Sequence, residues 1–312
     1  MNELALLDVV VEEEMAASDD MVFIATSAPA RLRARFGDRV RVCAISEPAM
    51  VGMAVGAAMS GLRPLVDLNR ASFLMLVMDQ LVNHAGRLSY LTDGAYSVPM
   101  VLTMTSRGPQ QLGPQNEQCP YGLLMQVPGV AVVTPGSQED ACGLLRSALS
   151  WPGPVAYFAA PSLARSSGWG SAIAARPVPF GQARRVTEGD DATILAIGGA
   201  VAVAAEAAAE LASVGVRCDV VDPRTLVPFD VETVRESVLR TGRLVVVDDG
   251  PRSGAPAQIL GRLLEQPSVG ERLCGRIRVV SCPDVPVPSS PALERHVWPT
   301  SDAVVDAVRE LS

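Results

Sequence analysis

Short apolar runs alternate with segments of helical periodicity along almost the whole chain, and this alternation restricts the fold more than any other feature. A strand buried on both faces reads as a continuous apolar run. A helix crossing back over it lets the next strand lie parallel. Such runs stand at Val22-Phe23-Ile24-Ala25, 39–45, 64–68, 98–104, 130–133 and 155–158. Helical patterns over 2–17, 48–60, 71–91 and 138–149 separate them, the first marked by Leu4, Leu7, Val11 and Met15. Over 166–190 the pattern breaks, and Ser166-Ser167-Gly168-Trp169-Gly170-Ser171 with Pro177 and Pro179 reads as a linker. Strands at 192–197, 218–221, 244–247 and 277–280 then alternate with helices, beginning with an alanine-rich one after Gly198-Gly199. The last helix is read from Ser301, taken as its N-cap, to 311. The expectation is an α/β protein of two domains, 1–165 and 191–312, each a mostly parallel sheet flanked by helices.

Composition removes several function classes. With 48% hydrophobic and 19% charged residues the chain folds. Acidic residues outnumber basic ones 34 to 26, which disfavours a nucleic-acid partner. Every basic residue is Arg, so this chain carries no Schiff-base or Walker-type lysine. Two distant histidines, His84 and His296, argue against a His-rich metal cluster. The six cysteines lack CxxC spacing and fit reduced thiols. The N-terminus has neither the basic start nor the apolar run of a signal peptide. No apolar stretch approaches the ~18 residues of a membrane span. A cytoplasmic protein is expected.

Three local motifs offer chemistry. Gly198-Gly199 opens a helix after a strand but lacks the spacing and distal acid of a dinucleotide loop. Asp248-Asp249-Gly250 offers carboxylates to Mg²⁺, or is a strand-end turn. The sharpest is Ile45-Ser46-Glu47-Pro48-Ala49-Met50, a carboxylate at a strand end followed by small and apolar residues. It reads either as a Ser46-capped helix whose acid favours the N-terminal dipole, or as a partly desolvated carboxylate awaiting a ligand.

The segment from Ile45 to Pro64 resembles the β subunits of thiamine-diphosphate-dependent 2-oxo acid dehydrogenases, a transketolase-like family. The likeness continues through Asp79-Gln80-Leu81-Val82-Asn83, Gly113-Pro114-Gln115, Val127-Pro128-Gly129-Val130, Val221-Asp222-Pro223-Arg224-Thr225-Leu226 and Pro283-Asp284-Val285-Pro286. It implies a pyrimidine-binding domain followed by a transketolase C-terminal domain. It implies that Glu47 hydrogen-bonds N1′ of the cofactor's aminopyrimidine, with Phe73 packed on that ring and Leu76 and Gln115 beside it. The family's Gly-Asp-Gly motif and later Asn, which hold diphosphate and Mg²⁺, lie on the α subunit, and no segment here matches them. An α-type partner in an α₂β₂ assembly is therefore implied, with Mg²⁺ on the partner. A monovalent cation held by the backbone carbonyls of Met100, Ala148, Trp151 and Gly153 is also implied.

Departures bear on substrate. Relatives carry Gln-His-Ser-Gln where this chain has Gln115-Asn116-Glu117-Gln118, and Asn116 does not titrate as a histidine does. The loop after 106 carries Arg107 and Gln110 where relatives are richer in glycine, and Arg107 suits a phosphate or carboxylate. Two enzyme readings follow. One decarboxylates a 2-oxo acid and passes the acyl unit to a lipoyl domain. The other is a two-component transketolase-like enzyme of specialised metabolism that cleaves a ketose phosphate or oxo acid and loads the fragment onto an acyl carrier protein. A non-catalytic scaffold is a third reading, disfavoured by the acid at Glu47, which a scaffold has no need to bury.

Overall fold

The computed structural model describes residues 7–106, 108–165 and 172–311. Six strands, Met21–Ala25 (β1), Val40–Val42 (β2), Arg63–Arg70 (β3), Val101–Thr105 (β4), Ala131–Val133 (β5) and Val155–Ala159 (β6), pair in parallel. They are followed by Arg184–Thr187 (β7), Ala192–Ala196 (β8), Cys218–Asp222 (β9), Thr225–Val227 (β10), Leu244–Pro251 (β11) and Ile277–Cys282 (β12). The first sheet has the order β10-β5-β6-β4-β3-β1-β2 and the second β12-β11-β8-β9-β7. Among the described residues, only β10 and β7 run antiparallel to their neighbours. The α/β reading, two mostly parallel sheets flanked by helices, is correct.

The central strands are buried on both faces, which is why they read as unbroken apolar runs. Every residue of β4, β6 and β8 is buried, and so are Val245, Val246 and Val247 of β11. One apolar core runs from Leu102 and Phe158 of the first sheet through Leu226 to Leu195 and Val246 of the second. Separate cores fill the outer faces, one around Met15, Leu145 and Tyr157 and the other around Ala204, Val220 and Val304.

Three local expectations are corrected and one strand is added. The stretch 71–91 is not one α-helix. It divides into a 3₁₀ segment Ala71–Val77, a π segment Asp79–Ala85 and an α-helix Gly86–Leu91. The last change falls where Gly86 meets a neighbouring turn. Gly129 there has φ +90°, and a Cβ on it would sit 2.0 Å from the Gly86 carbonyl oxygen. The stretch read as linker contains β7, which edges the second sheet beside β9; residues 166–171 lie outside the described residues. Within the second half of the chain, β10 leaves its own sheet and pairs with β5 of the first. Finally, Thr300 rather than Ser301 caps the last helix, its hydroxyl accepting the Ala303 N–H at 3.2 Å.

The seam under β10 is ionic. Asp140 and Asp222 are buried, and Asp140 receives Arg224 at 2.7 Å and Arg184 at 3.3 Å. Burial pushes the Asp222 carboxyl up to about 7, although the Arg224 N–H bonds to it.

Candidate active site

Parallel strands deliver their outgoing loops to one end of a sheet, and ligands of open α/β sheets bind in the crevice there. Beyond β2 comes the helix Glu47–Met59, beyond β3 the 3₁₀ segment, and beyond β4 a loop that includes 108–120. β3 and β4 are neighbours, paired as far as Arg70 opposite Thr105, so their two loops emerge side by side. The helix Glu47–Met59 packs on β3 and on both segments that follow it.

Glu47 is the first residue of its helix, with Pro48 next, where a missing N–H costs nothing. Ser46 holds the N-cap position, but its side chain makes no capping hydrogen bond, contrary to the capping reading. Glu47 is half-buried rather than buried, and its carboxylate has no hydrogen bond or ion pair among the described residues.

In a 3₁₀-helix residues three apart eclipse. Ala71, Leu74 and Val77 accordingly stack into the core. Phe73 and Leu76 share another face, Phe73 half-buried and Leu76 53% exposed. Val42, Ile45, Met53 and Met75 add further exposed apolar surface on these same segments, Ile45 being 81% exposed.

The loop after β4 is fastened to the 3₁₀ segment. Ser72 Oγ accepts the Gln118 N–H at 2.9 Å, and the Arg70 guanidinium donates to the Gln110 side-chain carbonyl. Gln115 is exposed and Asn116 half-buried, and neither side chain is hydrogen-bonded among the described residues. Glu47, Phe73, Leu76, Gln110, Gln115 and Asn116 thus all lie beyond the carboxyl ends of β2, β3 and β4. Arg107 lies outside the described residues.

Other candidates fall elsewhere. His84 is exposed in the π segment, 3.6 Å from Asp79, and His296 is exposed near the C-terminus. Asp248 and Asp249 accept the Tyr121 hydroxyl across the domain seam, and no metal-ligating group of His, Cys, Asp or Glu occurs among the described residues. Gly198-Gly199 opens the helix Ala200–Ser213, with no side-chain cap. Met100, Ala148, Trp151 and Gly153 gather at the turn into β6, where Met100 O accepts the Val155 N–H and Ala148 O the Trp151 N–H.

Sequence reasoning passed over Glu117 and Glu294, each 2% exposed. Burial first, and then the neighbouring Glu294 carboxylate, push Glu117 up to about 7. The two acids are remote in sequence, so no local pattern announces the pair.

Residues 9–165 match the transketolase pyrimidine-binding domain and residues 181–304 the transketolase C-terminal domain. The chain is 35% identical over 309 residues to the pyruvate dehydrogenase E1 component subunit beta of Rhizobium meliloti, covering 95% of this chain and 66% of that protein. Identity to the subunit of the same name from Rickettsia bellii is 33% over 313 residues, 96% and 95% of the two chains. With the beta subunit of acetoin:2,6-dichlorophenolindophenol oxidoreductase from Cupriavidus necator it shares 36% over 280 residues, 89% and 82% of the chains. A solved structure titled split gene transketolase, inactive beta4 tetramer, matches with a TM-score of 0.79 over 98% of this chain and 96% of that one. At 22% identity that likeness concerns the fold alone.

Fold and domain pair together define a transketolase-type protein. Within that class the chain belongs to the family of pyruvate dehydrogenase E1 β subunits, at about 35% identity, and that family is thiamine diphosphate dependent.

Proposed function

We propose that this chain is the β subunit of a heteromeric enzyme that cleaves the C–C bond beside the carbonyl of a 2-oxo acid and passes the acyl unit to a lipoyl or acyl carrier domain. The carrying observation is Glu47, a carboxylate without a protein partner among the described residues, at the carboxyl end of the sheet on a helix packed against the segment that carries apolar Phe73 and Leu76. This set fits an aminopyrimidine, which needs one carboxyl group at a ring nitrogen and apolar surface against its face.

Bound there, thiamine diphosphate supplies the electron sink for the cleavage. Glu47 holds and moves the proton at N1′. Phe73 and Leu76 orient the ring and exclude water from it. Gln115 and Asn116 offer amides to substrate oxygens; Asn116 orients without transferring a proton, since an amide does not titrate near neutrality.

The remainder of the site belongs to an α-type partner. The exposed Val42, Ile45, Met53, Met75 and Leu76 support this, because an apolar rim around a polar group marks a surface that another chain covers. The lack of a Gly-Asp-Gly segment in this sequence is in keeping with diphosphate and Mg²⁺ being held by that partner. A second reading, transfer of a two-carbon unit from a ketose phosphate to an acyl carrier protein, is favoured by Asn116, which stands where the family resemblance implies a histidine.

Co-expression with an α-type subunit from the same genome, followed by assay of pyruvate, branched 2-oxo acids and xylulose 5-phosphate, tests both readings. Turnover of an oxo acid supports the first and turnover of the ketose phosphate the second. The chain alone is expected to bind thiamine diphosphate weakly in calorimetry and to turn over nothing. Tight binding by the isolated chain overturns the shared site.

A further inference from the structure

We propose that Glu117 and Glu294 share one proton and act as positioning residues, latching the loop over 110–118 to the second domain. Both acids are buried, and both aim at one backbone turn. The Gln110 N–H lies 3.0 Å from Glu117 Oε1 and 3.1 Å from Glu294 Oε1. Glu294 Oε1 also accepts the Gln111 N–H at 3.0 Å, and the Leu112 N–H serves Glu117. Gln111 stands at φ +61°, a conformation a side chain adopts only when its surroundings enforce it, and these acceptors do so.

Two carboxyl groups crowded onto one donor in a buried site do not both ionise, because each charge loses hydration and repels the other. Among the described residues, the charged group acting on Glu117 is Glu294. The basic groups nearby among the described residues are otherwise engaged. Arg70 is bound to the Gln110 amide, Arg295 Nε donates to the Ala292 carbonyl, and His296 is exposed beside it. With one proton in the pair, a neutral carboxyl donates to a carboxylate while both still accept backbone N–H groups. With none, two buried anions face each other and the loop loses its hold.

The direction with pH follows. A carboxyl whose folded value is raised from 4.5 to about 7 favours the folded, latched form fully below 4.5 and ceases to do so as pH rises through about 7. Gln115 and Asn116 ride on this loop, so their placement over the site loosens with it. That consequence rests on the function proposed above, whereas the latch itself is observable without turnover.

Amide hydrogen exchange of peptides spanning 108–118 in the full chain, corrected for intrinsic rates, tests the proposal between pH 5.5 and 8.5. Protection is expected to fall by up to about tenfold per pH unit on approach to pH 7 and to level off above it. Glu117→Gln keeps a donor toward Glu294 and carries no charge, so its loop protection is expected to be independent of pH. Glu294→Ala is expected to lose protection at every pH. Wild-type protection that does not change with pH, or that changes equally in Glu117→Gln, overturns the latch. In the assembled enzyme, Glu117→Gln is expected to extend the alkaline limb of the kcat/KM profile; an unmoved limb refutes the positioning role. An assembled enzyme without turnover but with the expected exchange pattern refutes the proposed function and leaves the latch standing.

Discussion

Glu47→Gln is expected to lower turnover of the assembled enzyme by about 10²–10⁴-fold, the range over which a positioned proton-transfer group acts. The amide matches the carboxylate in shape and hydrogen-bonds with similar reach, but it neither gives up nor takes a proton at neutral pH. The effect should therefore appear in kcat, with thiamine diphosphate affinity reduced much less. Stability should hardly move. Glu47 is half-buried and bonded to no described residue, and substitutions at such positions usually stay within about 0.5 kcal/mol. Steady-state kinetics and a melting curve on the same preparation separate the two quantities. Turnover within a few-fold of wild type, with the melting temperature unchanged, removes Glu47 from the chemistry. A variant that fails to assemble moves its role from the reaction to the subunit interface.

The layered fold was legible because its central strands are buried on both faces and written as unbroken apolar runs, β8 and β11 above all. Two elements escaped that logic. Thr225-Leu226-Val227, three residues between Pro223 and Pro228, is too short to declare a sheet, and its partner β5 belongs to the other half of the chain. The stretch 71–91 has helical periodicity throughout, yet contact between Gly86 and Gly129 and the triplet stacking of Ala71, Leu74 and Val77 break it. That break matters for the site, since the 3₁₀ turn eclipses Phe73 and Leu76 one above the other. Glu47 stood out as an acid before Pro48 and a run of small residues, and the family resemblance gave that acid a partner. Glu117 lay one residue beyond the departure noted at Asn116 and was passed over, because its meaning depends on Glu294 and on burial that only folding creates.

Arg224→Met is expected to destabilise the chain by about 3 kcal/mol at pH 8, toward the lower end of what removing one partner of a buried ion pair costs. Arg224 bridges the seam: it follows β9, precedes β10, and reaches Asp140 on the helix Gln138–Ser150 of the first domain at 2.7 Å. Asp140 is 1% exposed and, among the described residues, would retain only Arg184 at 3.3 Å and the Ser137 hydroxyl at 2.7 Å. Beside it, Asp222 is fully buried, and the Arg224 guanidinium is one of the influences holding its carboxyl down against burial. Methionine keeps an unbranched, flexible stem in place of the arginine's aliphatic one and carries no charge. It also leaves the backbone cost at φ +60° as it was, so the difference reports the lost charge rather than relieved strain. The loss should depend on pH. Asp222 titrates near 7 in the native chain, and without Arg224 it binds its proton more tightly, so acid removes one of the two buried anions. The deficit should accordingly shrink between pH 8 and pH 6, and Asp140→Asn in the same background should recover part of it. Urea unfolding of both variants at the two pH values measures this. A deficit below about 1 kcal/mol, the median scale of an exposed pair, or one independent of pH, would mean that the seam is held by the Leu226 core alone and that its charges are solvated in solution.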